Sequence, residues 1–127
     1  MDNEPPRTDE VLDALASQRR RRVLAYLREH GDATREELAD VLTGWLATDR
    51  ASGRADAEDH ARIAISLSHV ALPKLDDAGL VAVEEETDTV ALEATAPWVE
   101  TCLDAVLDAD TGTDDRVVRP WSESEDA

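Results

Sequence analysis

One segment of the sequence combines a broad apolar surface with a narrow stripe of polar side chains at helical spacing. It runs from about Ala57 to Leu75, and Arg62, Ser66 and His69 recur at positions i, i+4 and i+7 of one helix face. Arginine pairs with the O6 and N7 atoms of guanine, while serine and histidine offer shorter polar contacts. The stripe therefore has the chemistry of a helix that contacts bases in the major groove. The alternative interpretation is an ordinary solvated stripe.

The rest of this helix is apolar over more than half of its circumference, which predicts packing on most sides. These residues are Ile63, Ala64, Ile65, Leu67, Val70, Ala71 and Leu72. Pro73 predicts a kink, because proline lacks the backbone donor and crowds the preceding turn.

Further arginines precede this helix. Arg50 and Arg54 lie in a small, polar segment from Thr48 to Asp56, which we interpret as an exposed loop whose arginines contact phosphates or are simply solvated. The run from Arg19 to Arg22 occupies four consecutive helical positions, which point in four directions and favour a structural role. Within that run Arg20 falls near the buried stripe, so we expect it to extend toward an acidic partner.

Catalytic and metal-binding patterns are absent from the sequence. It has no Ser/His/Asp ordering, no phosphate-binding glycine loop and no clustered carboxylate pair, so we predict that the protein is not an enzyme and needs no cofactor. His30, His60 and His69 fall on three separate segments, which argues against a metal site. The single cysteine, Cys102, lies on an apolar helical stripe and is predicted to pack rather than to sense.

The composition indicates the environment of the protein. There are 13 lysines and arginines against 30 acidic residues, which gives a formal net charge of −17, and Lys74 is the only lysine. The acidic residues are spread over all segments, a pattern typical of a halophilic archaeal proteome, and 42% hydrophobic residues indicate a folded chain. The sequence starts without a basic and apolar leader, and its longest apolar stretch, Ile63 to Leu72, is too short to span a bilayer. We therefore expect a soluble cytoplasmic protein without a membrane partner.

Helix start and stop signals divide the first third of the chain. Thr8, followed by two acidic residues, predicts the N-cap of a first helix that ends at about Ala16. Ser17 predicts the cap of a second helix, which ends at His30 before Gly31. A capping box at Thr34 and Glu37 then begins a third helix. Its apolar stripe is Leu38, Val41, Leu42, Trp45 and Leu46.

After Gly79 the pattern changes to alternation, which predicts a hairpin from residues 80–85 and 89–93. One face carries Val81, Val83, Val90 and Leu92, and the tip carries Glu86, Thr87 and Asp88. Thr95 predicts the cap of a fifth helix from Ala96 to about Leu107, with Pro97 tolerated in its first turn.

Two stretches carry a family resemblance. "LASQRRRRVLAYLREHGDATREELADVL" (residues 15–42) resembles the second and third helices of ArsR-like regulators, and "LSHVALPKLDDAGLV" (residues 67–81) resembles their recognition helix and the start of the wing. The form "LPKLDDAGLV" is similar to a group of haloarchaeal winged-helix domains of unassigned function. The resemblance implies a mainly α fold with a small β-hairpin, a winged helix-turn-helix with an added C-terminal helix. It also implies a transcriptional regulator that binds double-stranded DNA, commonly as a dimer.

On this basis we divide the chain into a flexible leader (1–7), a winged-helix domain (8–109) and an acidic disordered tail (110–127). The wing lies at about 80–93 and the C-terminal helix at about 96–107. In the tail, Trp121 is either a docking site for another protein or inert.

We also predict a homodimer, because the first and fifth helices carry more apolar residues than a winged-helix core requires. The predicted interface is Val11, Leu12, Leu15, Trp98, Val99, Cys102, Leu103, Val106 and Leu107. Two functions remain open from the sequence: a homodimeric DNA-binding regulator, or a winged-helix adaptor that contacts only proteins. The acidic residues Glu84, Glu85, Glu86 and Asp88 at the wing favour the adaptor, and a connection of about ten residues before the fourth helix departs from the family pattern.

Overall fold

The computed structural model describes residues 7–111, and it confirms a mainly helical fold with a small antiparallel sheet in a winged helix-turn-helix arrangement. The predicted leader, apart from Arg7, and tail residues 112–127, including Trp121, lie outside the described residues. The elements are α1 (Thr8–Ala14), α2 (Gln18–His30), β1 (Ala33–Thr34), α3 (Arg35–Asp49), α4 (Ala57–Ser66), a π-helical turn (Leu67–Ala71), α5 (Leu72–Asp77), β2 (Val81–Glu84), β3 (Thr89–Leu92) and α6 (Pro97–Thr111).

The first two helices are joined by arginine side chains. The Ser17 hydroxyl accepts a hydrogen bond from the backbone N–H of Arg20, as predicted for an N-cap. The Arg20 side chain donates from Nε to the carbonyl of Ala14 at 2.8 Å and from Nη2 to that of Asp13 at 2.9 Å. The guanidinium thus satisfies the last carbonyls of α1 rather than forming an ion pair, and its acidic neighbour is Asp13, whose carboxyl pKa is lowered by Lys74 and to a smaller extent by Arg20.

The N-cap assignment at Thr8 is also wrong. Arg7 occupies the N-cap position without a side-chain bond, and Thr8 is the first residue of α1. At the other end of the chain, the Thr95 hydroxyl donates to the Glu100 carboxylate at 2.7 Å, while the carbonyl of Ala96 accepts the first backbone bonds of α6. α6 continues past its predicted end at Leu107 to Thr111.

The helix-turn-helix consists of α3, a short loop and α4. The Thr34 hydroxyl accepts from the backbone N–H of Glu37 at 3.1 Å, but the Glu37 carboxylate accepts from the Tyr26 hydroxyl at 2.6 Å, so only half of the predicted capping box forms. α3 continues to Asp49, which leaves residues 50–56 as the connection. This connection is shorter than predicted and falls within the usual range of about 2–8 residues.

α4, the π-helical turn and α5 form one continuous helix. Leu72 N–H donates to the carbonyl of Leu67, the i to i−5 bond of a π-helix, and Pro73 follows within the first turn of α5. One extra residue in the turn accommodates a proline that cannot donate a bond and would crowd an α-helical carbonyl. At the end of α5, Gly79 at φ 80° allows Leu80 N–H to bond to the Leu75 carbonyl at 2.9 Å.

The wing follows directly from this turn. β2 and β3 pair with Val81 opposite Leu92 and Val83 opposite Val90, so these four side chains share one face as predicted. β1 adds a third strand, in which Ala33 lies opposite Val90. The sequence did not predict it, because a strand of two residues is too short to show alternation. The hairpin turn includes Asp88 at φ 58°.

The core draws on every helix, which changes the interpretation of α1 and α6. Val11, Leu15, Val99, Leu103 and Leu107 are buried together with α2 and α3 residues such as Leu24 and Leu38. The prediction that these five side chains need a dimer partner to cover them is therefore wrong, because they are already buried within a single chain. Of the predicted interface, Leu12 and Trp98 are exposed, while Cys102 and Val106 are half-buried.

Candidate nucleic-acid interface

The helix that follows α3 presents a solvent-exposed face of mixed chemistry. Arg62 and His69 are exposed and Ser66 is half-buried, as expected for the polar stripe. Ile65 and Val70, however, are 61% and 52% exposed. The expectation that this helix is packed on most sides is therefore wrong for these two residues. Its other apolar residues are covered: Ile63, Leu67, Ala71 and Leu72 are buried and Ala64 is half-buried. The exposed face is wider and more apolar than the sequence indicated. We call Arg62, Ile65, Ser66, His69 and Val70 the α4 face.

The start of α4 is organised around a buried carboxylate. Asp59 is only 4% exposed and is the buried charged residue of the described chain. Its Oδ2 accepts from Arg50 Nη1 at 2.8 Å and from the backbone N–H of Asp56 at 2.9 Å, and its Oδ1 accepts from Arg50 Nη2 at 3.1 Å. Arg62 Nη2 also donates to Oδ1. One carboxylate thus holds the guanidinium groups of two arginines.

Asp56 and Asp59 form the capping box of α4. The Asp56 side chain accepts from Asp59 N–H at 2.9 Å, while the Asp59 side chain accepts from the backbone N–H of Asp56. The sequence analysis missed this motif, although an acidic N-cap followed three residues later by a second acid is a sufficient signal. Hydrogen bonds from Arg50 and from the backbone of Asp56 hold the pKa of Asp59 well below its usual range.

This lowered pKa has a consequence for acid stability. A carboxylate that is more acidic in the folded state stabilises the fold above its unfolded pKa of about 3.9, and that stabilisation is lost as the pH falls through the lower folded value. We expect Asp59→Asn to lower the melting temperature at neutral pH. As the pH falls from about 5 to 2, the melting temperature of this variant should decrease less than that of the wild type. Thermal unfolding followed by circular dichroism in fixed KCl measures both. Glu29→Gln, at an exposed carboxylate on α2, is the control, and an Asp59→Asn curve parallel to the wild type would contradict this assignment.

The predicted DNA-contacting arginines therefore divide into two groups. Arg50 and Arg62 are bound to Asp59, yet their side chains remain 40% and 61% exposed. A guanidinium has five N–H donors, so both retain donors beyond those that Asp59 accepts. Arg54 is exposed and has no acidic partner among residues 7–111. The structure brings Arg50 close to Arg54, because Arg50 Nη1 donates to the Arg54 carbonyl at 3.4 Å.

The arginine run in α2 contributes one further residue to this region. Arg21 bonds to Asp110, and Arg22 bonds to Asp49 while lying 5.2 Å from the centre of the Trp45 ring, so these two have structural roles like that of Arg20. Arg19 differs, because within the described part of the chain it has no acidic partner. It lines one cleft together with Arg50 and Arg62. The sequence analysis missed Arg19, since four adjacent arginines give no signal for which one is left free.

Most other cations in residues 7–111 are paired with acids. These pairs are Arg7 with Glu10, Arg21 with Asp110, Arg22 with Asp49, Arg28 with Asp104, Arg35 with Glu85 and Asp88, and Lys74 with Asp13. Arg19, Arg20 and Arg54 form no ion pair in this range, Arg50 and Arg62 share the buried carboxylate of Asp59, and Arg62 also lies 3.8 Å from Glu58 Oε2. One of these unpaired cations, Arg19, lines the cleft beside the α4 face together with Arg50 and Arg62.

The wing has the opposite character. Glu84, Glu85 and Glu86 are exposed at its tip. Arg35, the first residue of α3, binds the carboxylates of Glu85 and Asp88, and its backbone N–H donates to the Asp88 carbonyl at 3.3 Å. These contacts fix the acidic tip to the start of the helix-turn-helix. The positive charge of Arg35 is neutralised by the same two acids.

The three histidines do not come together. His60 Nε2 lies 2.8 Å from Asp40 Oδ1, the His30 ring packs against Tyr26, and His69 lies on the α4 face. Over residues 7–111, no group of three or more histidine, cysteine or acidic side chains is placed to hold a metal ion. In the same range, no helix has the length and apolar character needed to cross a membrane.

The fold and the exposed α4 face define a winged helix-turn-helix domain. Residues 12–91 match the family model described as a domain of unknown function, DUF7344, and the chain belongs to this family. The match extends from α1 to β3 and so includes the helix-turn-helix and the wing but not α6. No curated protein and no solved structure matches the chain.

Proposed function

We propose that this protein is a DNA-binding transcriptional regulator that inserts α4 into the major groove. The observation that carries the proposal is the α4 face, which exposes both base-reading and aliphatic side chains on the second helix of a helix-turn-helix. Arginine forms two hydrogen bonds with guanine, and aliphatic groups contact the methyl group of thymine. Arg62 has the first chemistry, and Ile65 and Val70 have the second.

The charge distribution supports the same surface. A net charge of −17 repels DNA in dilute salt. Molar salt reduces the Debye length to about 3 Å, so that distant acidic residues are screened while contacts at hydrogen-bond distance remain. Because Arg19 has no acidic partner among the described residues and lines the cleft beside the α4 face, the local surface is more favourable to phosphates than the net charge suggests. The acidic composition and the resemblance to ArsR-like and haloarchaeal domains support a cytoplasmic regulator of a halophilic archaeon.

Selection of duplexes from a random library in molar KCl tests the proposal. We expect the full-length protein to enrich a shared sequence motif after several rounds. Failure to enrich any motif over a protein-free selection would contradict sequence-specific binding.

A homodimer is part of the proposal, since it would place two α4 faces over a palindromic site. The exposed Leu12 and Trp98 are the side chains left for such an interface. Light scattering in molar KCl should give twice the chain mass of 13.9 kDa, and Leu12→Asp with Trp98→Asp should halve the measured value without loss of helix content. A monomeric wild type would contradict the dimer.

The second candidate is a protein-binding adaptor, and the acidic wing is the observation that favours it. A wing that lies against DNA usually offers a cation to phosphates, whereas Glu84, Glu85 and Glu86 are exposed here. On this alternative, the aliphatic part of the α4 face contacts a protein, and the duplex selection gives no motif.

A further inference from the structure

A cleft of about 480 Å³ lies between the first turn of α2 and the start of α4. Three guanidinium groups and one carboxylate line it, from Arg19, Arg50, Arg62 and Asp59, and Ser66 adds a hydroxyl. The apolar part of its wall includes Ile65, which also belongs to the α4 face. The cleft therefore opens beside the surface that we propose for base contacts.

The cationic side of this cleft is already organised. Asp59 accepts hydrogen bonds from Arg50, Arg62 and the backbone of Asp56, so both of its oxygens are occupied. It fixes the direction of two guanidinium groups, and Glu58 Oε2 lies 3.8 Å from Arg62 Nη1, so two acids balance these two arginines. Arg19 faces the same cleft from α2 and has no acidic partner among the described residues. A preformed site with surplus positive charge is suited to an anion.

We propose that this cleft binds one phosphate of the nucleic-acid backbone, with Arg19 and Arg50 as direct contacts. This inference rests on the proposed DNA binding and adds a site that anchors α2 to the strand beside the groove occupied by α4. Guanidinium groups bind phosphate oxygens through paired, charge-assisted hydrogen bonds, and the Ser66 hydroxyl supplies a further donor. Backbone contacts of this kind set the orientation of a protein on the duplex and carry no sequence information.

The test compares Arg19→Gln with Arg28→Gln. Both substitutions remove one positive charge from α2, but Arg28 is paired with Asp104 and does not line the cleft. For a duplex selected with the wild type, we expect Arg19→Gln to reduce the slope of log K against log[KCl] by about 0.9, as for one lost phosphate contact. We expect an unchanged slope for Arg28→Gln and the same selected motif for both variants. An unchanged slope for Arg19→Gln would overturn the inference for DNA.

A second arm does not depend on DNA binding. Inorganic phosphate is titrated into the ¹⁵N-labelled full-length protein, and the backbone amides and arginine Nε–H signals are followed by NMR. Shifts at Arg19, Arg50 and Ser66 that disappear in Arg19→Gln and persist in Arg28→Gln would support the anion site. Such shifts in a protein that binds no duplex would refute the proposed function while retaining the cleft as a site for free phosphate. In a protein that binds no duplex, absence of these shifts alone would overturn the inference.

Discussion

We expect Leu103→Asp to unfold the domain, although the sequence alone placed Leu103 in a dimer interface. Leu103 is 6% exposed and packs in the core that α6 shares with α2 and α3. An unpaired carboxylate buried at this position costs several kcal/mol. Because folded domains are stable by only about 5–15 kcal/mol, this cost is comparable to the whole stability. Circular dichroism and urea unfolding in molar KCl measure it.

Leu12→Asp is the matched control for this prediction. Leu12 belongs to the same predicted interface but is 50% exposed, so its substitution should change the free energy of unfolding by less than about 1 kcal/mol. A folded Leu103→Asp variant with wild-type stability would show that α6 does not complete the core of its own chain. That result would support the original prediction that Leu103 lies in a dimer interface.

The second large effect concerns DNA affinity. We expect Arg62→Gln combined with His69→Ala to weaken binding to a selected duplex by about 10- to 100-fold, since one lost bidentate base contact costs about 1–3 kcal/mol. Glutamine is chosen because a glutamate at position 62 would face the carboxylate of Asp59. The fold should remain intact, because Arg50 still binds Asp59 and both substituted side chains are exposed. Fluorescence anisotropy in molar KCl gives the affinity.

Arg28→Gln combined with His30→Ala controls for the loss of the same residue types. Both of these residues are exposed on α2, outside the α4 face, and this variant should bind DNA like the wild type. We call the protein with Arg62→Gln and His69→Ala the α4 variant. If it keeps its fold and binds DNA with wild-type affinity, the recognition surface lies elsewhere on the domain.

Local signals in the sequence predicted the helices and the hairpin well. The Ser17 cap, the Gly31 stop and the alternation of Val81 and Val83 depend on residues a few positions apart. The predicted N-caps at Thr8 and Thr95 were each displaced by one residue, to Arg7 and Ala96. Several adjacent residues were compatible with the start of each helix, and propensity alone does not choose between them.

The parts of the site that the sequence did not predict depend on contacts between distant elements. Arg50 appeared free because its partner Asp59 lies in the next helix, and the length of the loop decides whether the two meet. Ile65 and Val70 were assigned to the core because an apolar residue on a helix indicates burial only when a neighbour covers it. The position of α6 similarly decided that Leu103 and Leu107 are core residues.

The acidic surface and the cationic cleft are consistent with one physical picture. Concentrated salt screens the dispersed acids and also weakens the counterion release that drives most DNA binding. A regulator in such an environment depends on a few direct contacts. In the proposed function, the α4 face and the cleft beside it would supply the base, methyl and phosphate contacts from one small area of the surface.

Genome-wide occupancy of the tagged full-length protein, measured in the organism that encodes it at its native intracellular salt, tests DNA recognition most directly. We predict sharp peaks that share one motif, and we predict their loss in the strain that carries Arg62→Gln and His69→Ala. Peaks should persist with Arg28→Gln and His30→Ala. Occupancy without sharp peaks, or peaks that the α4 variant leaves unchanged, would contradict recognition of DNA through this helix.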